Sequence, residues 1–482
     1  MSICNLCSIS YYVLRFYGES FPTTPPQGTP PGYLRGDENE DAAQKVDLTH
    51  LSSRQAIQDI VSFIQSNEAL QHFQFSNEQD AKAVRWITFG GSYPGMLSAW
   101  SHLLHPTTIF GAVSNSAPIQ AELDFHQYHE HVALDLENEE VGGSKECRKI
   151  IEEGHEQAVA ILESQTSFGA DGKRKMVVDE DSSEDGHGLE RLAIMFNICG
   201  GADTLRASRR NQEVFIGDGI ITISAQSNDP SCTTGKVCNI KGLCDTILTE
   251  KKNSPMKSSL DILGDVNQLQ KKAQPGGGEQ CTVVEWKAWL YFWKQDFTPT
   301  TQNVNDYSWV YQTCNEFGFY QTCNTDSNCP YGKGYHDIDR DLEICQEAFG
   351  IDADTVKQNV ASTLTYYGGR TLTPNTGQDK VGPSNDMIAD GEDTIVDGQN
   401  RLIFLNGDID PWEELSFNDG TDITPSDSVQ GASHHFWTQQ VKKTDSEFIV
   451  KARELIYKTV TEWLEQPTLL VPVEGDTVME TE

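Results

Sequence analysis

Basic residues and long apolar runs are scarce in this sequence of 482 residues. Lysine and arginine number 36 against 72 aspartates and glutamates, which gives a formal net charge of −36 at pH 7. Phosphate binding needs the opposite sign, so this balance excludes a nucleic-acid partner. No stretch approaches the roughly 20 consecutive apolar residues that a membrane-spanning helix needs, so we expect no membrane partner.

A recognisable targeting signal is also missing. The first ten residues contain no basic segment and no clear cleavage site, so no signal peptide is visible in this chain. The acidic excess has two interpretations, ordinary solubility and adaptation to an acidic compartment, and charge alone does not choose between them. The apolar content of 37% is sufficient for a sizeable core.

Cysteine, by contrast, is abundant. Ten of the 12 cysteines lie between Cys147 and Cys345. Such regional clustering is typical of disulfides in an oxidising compartment, although spacing does not reveal the pairing. Zinc is the rival interpretation, but the cluster contains no paired CxxC followed by His or a second CxxC. Cys4 and Cys7 resemble half a zinc knuckle without its partner. We therefore predict disulfides.

A β-branched and aromatic run breaks into glycines around one serine, Ser92, in the segment Ala83-Val-Arg-Trp-Ile-Thr-Phe-Gly-Gly-Ser-Tyr-Pro-Gly95. The run predicts a buried strand, and residues 96–104 predict a helix that ends before Pro106. A strand, a glycine turn carrying serine and a helix form the nucleophile elbow of α/β-hydrolases. The turn needs small neighbours because the serine backbone is strained and the helix packs close to the strand.

Strand and helix patterns alternate on both sides of this turn, which favours a mostly parallel sheet. We predict further strands at residues 109–113 and 402–405, and a segment that begins as a strand at residue 13 and ends in the turn 17–22. Capping boxes at Ser52/Gln55 and Thr444/Glu447 predict the starts of two helices. From about residue 122 the pattern changes to amphipathic helices, including 147–162 and 261–272, alternating with cysteine-bearing loops.

These patterns predict an α/β fold with an inserted, mainly helical, cysteine-containing cap. We assign residues 1–121 to the first part of the core, 122–310 to the cap, 311–466 to the second part of the core and 467–482 to an acidic tail. We predict a proline- and glycine-rich acidic loop from residue 22 to about residue 47. Residues 171–187 are an acidic segment inside the predicted cap that we expect to be mobile.

A serine is a weak nucleophile unless a base removes its proton and a carboxylate orients that base. α/β-Hydrolases supply these groups in the order Ser, Asp, His, each after a strand. Asp410 follows the predicted strand 402–405 and precedes Pro411, so it fits the acid. His434 or His435 fits the base. Each signal alone is weak, but their order and strand context together favour a serine hydrolase.

Gly90-Gly-Ser-Tyr-x-Gly95, Asn406-Gly-x-x-Asp-Pro-Trp412 and the His434–His435 pair resemble one known family. It contains prolylcarboxypeptidase, dipeptidyl peptidase II and thymus-specific serine protease, and is called the S28 serine carboxypeptidases. The resemblance extends from about residue 13 to 465 and is most similar to the thymus-specific branch. Further matching segments are Arg15-Phe-Tyr-Gly-Glu-Ser20, Ser116-Ala-Pro118, Asp124-Phe125, Trp309-Val-Tyr-Gln-Thr-Cys-Asn-Glu-Phe-Gly318 and Tyr366-Tyr-Gly-Gly369.

The resemblance implies an α/β-hydrolase core with a helical cap, and a serine exopeptidase that cleaves small peptides after proline. By position, Ser92 would be the nucleophile, Asp410 the orienting acid and His434 the base, with His435 a structural neighbour. The backbone N–H of Tyr93 would contribute to the oxyanion hole. Both a Pro-X carboxypeptidase and a dipeptidyl peptidase stay open.

The resemblance also suggests the surroundings of the site. Gln312, Glu316 and Trp412 are candidates for substrate binding, although Gln312 and Glu316 fit a purely structural role equally well. The motif His126-x-x-His129-x-His131 has metal-ligand residue types, but it falls in a segment where the family has no metal, so we predict no metal and no cofactor.

Expected partners are small proline-containing peptides, and a homodimer is open. Family resemblance implies a lysosomal, vacuolar or secreted location. Two alternatives to the exopeptidase remain: a catalytically impaired peptide-binding homologue of the same fold, and an esterase.

Two features depart from the family pattern. Pro94 stands where the family has glycine; proline is tolerated in the first turn of a helix but disfavours helical backbone angles at the preceding residue, Tyr93. A misdirected Tyr93 N–H would cost about 10²–10³ in rate. Only 14 residues precede Arg15, whereas family members carry first strands and a glycine-rich oxyanion loop before this point. We expect that segment upstream of Met1.

Overall fold

The computed structural model describes residues 14–21, 47–66, 84–165, 167–168, 174–175, 187–232, 235–274, 280–294, 304–374, 401–420 and 426–465. Most of the predicted acidic loop 22–47, most of the acidic segment 171–187, the tail 467–482 and the pair Cys4 and Cys7 lie outside these residues. The strands are β1 Ile87–Gly91, β2 Gly111–Asn115, β3 Glu122–Asp124, β4 Ser167–Phe168, β5 Arg174–Lys175, β6 Gly318–Tyr320, β7 Leu402–Gly407 and β8 Ser426–Val429.

Helices are the predominant regular structure of the described residues. They are α1 Ser53–Gln65, α2 Tyr93–Leu104, α3 Gln127–Asp135, α4 Lys145–Gln165, α5 Gly188–Met195, α6 Ala202–Ala207, α7 Arg209–Ile216, α8 Ile240–Asn253, α9 Ser259–Ala273, α10 Trp286–Lys294, α11 Val304–Gln312, α12 Ile338–Ile344, α13 Ala353–Tyr367 and α14 Glu447–Glu465. Two π-helical turns, Thr313–Phe317 and Cys345–Phe349, extend α11 and α12. No described helix combines the length and apolar character needed to cross a bilayer.

A parallel four-stranded sheet in the order β1-β2-β7-β8 forms the centre of the core. The register pairs Gly91 with Asn115 and Asn115 with Leu405, so the carboxyl ends of the strands lie side by side. Strand β7 is buried along its whole length, as expected for a parallel strand covered on both faces. The loops that follow these strands therefore converge at one edge, which is where α/β folds place their sites.

The predicted α/β class is confirmed, with local corrections. The strand expected at 109–113 begins two residues later, as β2, and β1 is less buried than predicted. In the described part of the chain β1 lies at the sheet edge, and Phe89 is 49% exposed.

The strand predicted to begin at residue 13 is wrong over residues 14–16, which already belong to a turn. The turn predicted at 17–22 is confirmed over its described residues, which include the 3₁₀ helix Gly18–Ser20. Phe16 and Gly18 both have positive φ, which ends any extended strand. The Arg15 side chain holds this turn against α1, because its Nε lies 2.6 Å from Asp59 Oδ2.

Of the two predicted helix caps, one is confirmed and one is wrong. Ser52 caps α1 as expected, because its hydroxyl accepts the Gln55 N–H at 3.3 Å. The cap predicted at Thr444 is wrong: α14 begins at Glu447, and the Ser446 hydroxyl accepts the Ile449 N–H. Ser446 directly precedes the first helical residue, and this is the position from which a side chain reaches the free N–H groups of the first turn.

The region assigned to the cap has a hydrophobic core of its own. Helices α4, α5, α7, α8 and α9 bury Ile151, Leu192, Ile216, Ile247 and Leu263 completely in one cluster. The predicted domain boundaries at 121/122 and 310/311 stay predictions. Near them, β3 and β6 pair in a separate two-stranded parallel sheet.

Five disulfides confirm the prediction from cysteine clustering. They use all ten cysteines between 147 and 345, and the pairs are Cys147–Cys244, Cys199–Cys281, Cys232–Cys238, Cys314–Cys345 and Cys323–Cys329. The described residues contain no free cysteine. The first three pairs lie in the region assigned to the cap, and the first two close segments with sequence separations of 97 and 82, whose freedom in the unfolded chain they restrict.

Candidate active site

Ser92 occupies the turn between β1 and α2 in a strained backbone conformation, with φ 60° and ψ −131°. Its own N–H donates to Asn115 O at 2.9 Å, and its carbonyl accepts the Met96 N–H at 3.0 Å. Such a conformation costs a non-glycine residue about 1–3 kcal/mol and persists only when the surroundings fix it. The side chain is thereby presented at the carboxyl edge of the sheet.

Glycines on both sides of Ser92 allow the close packing that this turn requires. A Cβ atom on Gly90 would lie 2.0 Å from Pro94 O, and one on Gly95 would lie 2.8 Å from Asn115 O. Both contacts are shorter than any normal carbon–oxygen approach, and both partners are backbone atoms. The start of α2 thus packs directly against β1 and β2.

Pro94 does not displace Tyr93 from the helix, contrary to the expectation from sequence. Helix α2 begins at Tyr93, so the proline occupies its first turn, where no intrahelical N–H bond is lost. The Tyr93 N–H has no hydrogen-bond partner among the described residues, as is usual for the first N–H groups of a helix. It is available to a negatively charged oxygen near Ser92.

Asp410 and His434 are joined by a hydrogen bond. Asp410 follows β7 and is completely buried; its Oδ2 lies 2.8 Å from His434 Nδ1, and its Oδ1 accepts the Trp412 N–H at 3.1 Å. This arrangement places the proton on Nδ1 and leaves Nε2 as an acceptor. Nε2 is buried and has no hydrogen-bond partner in the described part of the chain.

His435 shows that the loop carrying His434 and His435, here called the histidine loop, lies beside the turn that carries Ser92. A Cβ atom on Gly91 would lie 2.8 Å from the His435 ring, and the rings of His434 and His435 are 4.6 Å apart. The His435 N–H donates to Ser116 Oγ, at the end of β2. Ser92 makes no hydrogen bond to Nε2 of His434 here; catalytic bonds of this kind often tighten only when substrate binds.

Gln312 and Glu316 belong to a buried polar network behind Ser92. Gln312 Nε2 donates to the Tyr93 hydroxyl and to Glu316, and the Tyr17 hydroxyl donates to Gln312 Oε1. Glu316 also accepts the N–H and hydroxyl of Ser53, and burial raises the pKa of this carboxyl. Because these bonds occupy both side chains, the structure favours a positioning role over substrate contact.

Trp412 lies nearer to the candidate base, with its ring centre 6.3 Å from that of His434. Its indole N–H donates to Gln226 Oε1 at 2.9 Å, and the Tyr128 hydroxyl donates to the same oxygen at 2.8 Å. Gln226 comes from the cap region, and sequence reasoning missed it. No local motif marks it, because its neighbours come from three distant segments.

The motif of three histidines does not form one site. His131 contacts Glu414, whereas His129 lies with Asp218 and His336, whose ligand-type atoms are within 4.8 Å of one another. Both ring nitrogens of His336 already lie within 2.8 Å of carboxylates, and Arg340 Nη2 is 2.8 Å from Asp218. The Arg340 guanidinium already supplies a positive charge beside the Asp218 carboxylate, so these side chains form an ion network.

The parallel sheet with its helices and the strained serine after β1 define the class: an α/β-hydrolase. The family model for serine carboxypeptidase S28 matches residues 10–378. The chain is 28% identical to the thymus-specific serine protease of Homo sapiens, over 93% of this chain and 72% of the relative. It is 20% identical to the lysosomal Pro-X carboxypeptidase of Mus musculus, over 93% and 74%. The chain belongs to the serine carboxypeptidase S28 family and is a serine peptidase, which confirms the resemblance.

Proposed function

We propose that Ser92 is the nucleophile, His434 the general base and Asp410 the orienting acid of a serine exopeptidase. The observation that carries this proposal is the 2.8 Å bond between Asp410 and His434 Nδ1, which leaves the buried Nε2 free in the loop beside Ser92. The Tyr93 N–H, at the start of α2, is the proposed oxyanion donor.

The proposed reaction has two stages. His434 Nε2 takes the proton of Ser92 Oγ, which attacks the scissile carbonyl carbon; the oxyanion that forms is stabilised by the Tyr93 N–H. The imidazolium then protonates the leaving amine, and the C–N bond breaks to give an acyl-enzyme. In the second stage His434 takes a proton from water, and the hydroxide attacks the ester carbonyl carbon. The bond from that carbon to Ser92 Oγ breaks, the acid product leaves, and the imidazolium returns its proton to Ser92.

We propose small peptides with proline on the acyl side of the cleaved bond as substrates. One relative is named as a Pro-X carboxypeptidase, which supports this class. Aromatic rings also gather beside His434: Trp412 lies 5.5 Å from Phe125, 5.6 Å from Tyr128 and 5.4 Å from Phe319, measured between ring centres. The compact apolar ring of proline packs well on aromatic faces.

We propose an acidic and oxidising compartment, lysosomal, vacuolar or extracellular, for this peptidase. Five disulfides require an environment in which thiols stay oxidised. The name of the mouse relative includes the word lysosomal, and the net charge of −36 is consistent with an acidic setting.

Labelling with a fluorophosphonate tests the nucleophile. We expect covalent modification of the wild-type chain and none of Ser92→Ala, because the probe needs an activated serine. Ser62→Ala, the same change at an exposed position of α1, is the matched control and should label like wild type. A folded wild-type chain without label, or label that persists in Ser92→Ala, would contradict the assignment.

Peptides blocked at one end test the substrate class. Hydrolysis after proline that requires a free C-terminal carboxylate identifies a carboxypeptidase, and a requirement for a free N-terminal amine identifies a dipeptidyl peptidase. Hydrolysis of simple esters without any peptide cleavage would favour the esterase. Labelling of Ser92 without turnover of either substrate would favour the impaired peptide-binding homologue.

A further inference from the structure

Residues 225–231 of the cap region, here called the cap strap, are fastened to the loop that carries His434. Gln226 O accepts the His434 N–H at 3.2 Å, and Asn228 O accepts the Ser433 hydroxyl at 3.0 Å. Asp229 Oδ2 accepts from Lys442 Nζ at 2.9 Å. Three residues of the histidine loop, Ser433, His434 and Lys442, thus donate hydrogen bonds to the strap.

The cap strap is also held on its other side. Asn228 Oδ1 accepts the N–H of Ile240, the first residue of α8, at 3.0 Å. The disulfide between Cys232 and Cys238 closes the short connection between the strap and α8. Because both sides are tied, the strap can hold a side chain in a defined direction at low entropic cost.

The orientation of the Gln226 amide follows from its neighbours. An indole N–H can only donate, so the atom of Gln226 that lies 2.9 Å from Trp412 Nε1 must be the oxygen. The Tyr128 hydroxyl donates to the same oxygen at 2.8 Å. With Oε1 fixed by two donors, the NH₂ group must point away from Trp412 and Tyr128.

That NH₂ group is not used inside the protein. Nε2 of Gln226 has no hydrogen-bond partner among the described residues, and it is not one of the buried unpartnered atoms, so it is accessible to solvent. The residue nevertheless contacts the loops of both Asp410 and His434. An oriented, unused pair of N–H donors at this place matches a peptide carbonyl.

We propose that Gln226 binds substrate: its Nε2 donates a hydrogen bond to a main-chain carbonyl of the bound peptide, other than the carbonyl that Ser92 attacks. This inference rests on the proposed function of the Ser92 site. It makes the cap a direct contributor to substrate binding, through a residue that no sequence motif marks.

The decisive variant is Gln226→Glu, whose carboxylate keeps an acceptor for Trp412 and Tyr128 but replaces the NH₂ donors with an oxygen. We expect KM for a proline-containing peptide to rise about 10- to 100-fold, because the substrate carbonyl then faces an acceptor. We expect kcat to change less than threefold, because this contact forms equally in the ground and transition states. The rate of fluorophosphonate labelling, which needs no such carbonyl, should also change less than threefold.

Two further variants support this design. Gln226→Met, of similar length but without a donor or a charge, should raise KM likewise, and it replaces the Glu variant if that protein does not fold. Gln358→Glu, the same change at an exposed position of α13, is the matched control and should keep the wild-type KM.

The outcomes separate the two proposals. A wild-type KM in Gln226→Glu would overturn the role of Gln226, while wild-type labelling and turnover would leave the proposed function intact. Equal losses of kcat and labelling rate without a rise in KM would also overturn it, because they indicate that Gln226 only positions His434. A wild-type chain that neither labels nor cleaves peptides overturns the proposed function and this inference with it.

Discussion

At the scale of single residues, the candidate site depends on one strained backbone and the small residues that tolerate it. Ser92 holds a positive φ because the Asn115 carbonyl accepts its N–H and because Gly90 and Gly95 leave room for α2. Pro94 adds rigidity at the same turn, since its φ is fixed near the helical value. The turn combines space from glycine with restriction from proline.

Replacing Pro94 by glycine tests how much the restricted proline backbone contributes to stability and to activity. We expect Pro94→Gly to lower the free energy of unfolding by about 1 kcal/mol, because glycine gains freedom in the unfolded chain. Because α2 already begins at Tyr93, we expect kcat to change less than threefold. Denaturant unfolding and peptide kinetics measure both quantities. A tenfold gain in kcat would show instead that the proline misdirects the Tyr93 N–H.

At the scale of elements, α3 carries two histidines with opposite electrostatic surroundings. Burial lowers the pKa of His129 to about 4. Burial also disfavours the charge on His131, but the hydrogen bond that its ring donates to Glu414 and the charge of Asp135 outweigh burial and raise the pKa of His131 to about 9. His131 therefore links α3 to the 3₁₀ helix Pro411–Leu415, which directly follows Asp410, through an ion pair.

This link predicts a pH dependence of stability. The pKa of His131 is raised from an ordinary 6.5 to about 9, so its contribution is complete below pH 6.5 and is lost as the pH rises through 9. We expect His131→Gln to lower the free energy of unfolding by up to about 3 kcal/mol more at pH 5.5 than at pH 9.5. The fall in Tm should therefore be clear at pH 5.5 and much smaller at pH 9.5.

Thermal unfolding at the two pH values measures this difference. His126→Gln, at the start of the same helix and outside the ion pair, is the control. An equal loss of Tm at both pH values would mean that His131 stabilises the fold by packing alone.

At the scale of the whole molecule, separate hydrophobic cores support the sheet and the cap region. One cluster includes α2 and the elbow, and another joins the cap helices. The disulfides close segments of very different length: Cys147–Cys244 spans 97 residues of the cap region, whereas Cys323–Cys329 spans six. Restriction of the unfolded chain grows with loop length, so the two bonds should differ in effect.

Removing each disulfide separately measures that difference. The loop-entropy relation gives about 4.7 kcal/mol for the 97-residue loop and about 2 kcal/mol for the six-residue loop. We therefore expect Cys147→Ala/Cys244→Ala to lower Tm more than Cys323→Ala/Cys329→Ala, with all four cysteines buried. Equal losses would indicate that local packing at the sulfurs, rather than loop closure, dominates.

The fold class was predictable because its signals are local. Alternating strand and helix patterns, the glycine turn at Ser92 and the clustered cysteines each depend on neighbouring residues. The failures arose where a distant contact decides: the strand expected to begin at residue 13 gives way to a turn held by Asp59, a residue 44 positions away from Arg15. The burial expected for β1 depended on its place in the sheet, which its own residues do not encode.

The sequence by itself determined which residues are candidates for the site, since Ser92 and Asp410 each follow a predicted strand and Ser92, Asp410 and His434 stand in the order that an α/β-hydrolase requires. Only the tertiary structure decided that Asp410 bonds His434, that Gln312 and Glu316 lie in a buried network, and that Gln226 reaches the site from the cap. The physical reason is distance along the chain. Spacing can mark a residue that acts within its own turn, but a contact between residues 226 and 412 exists only once the chain has packed.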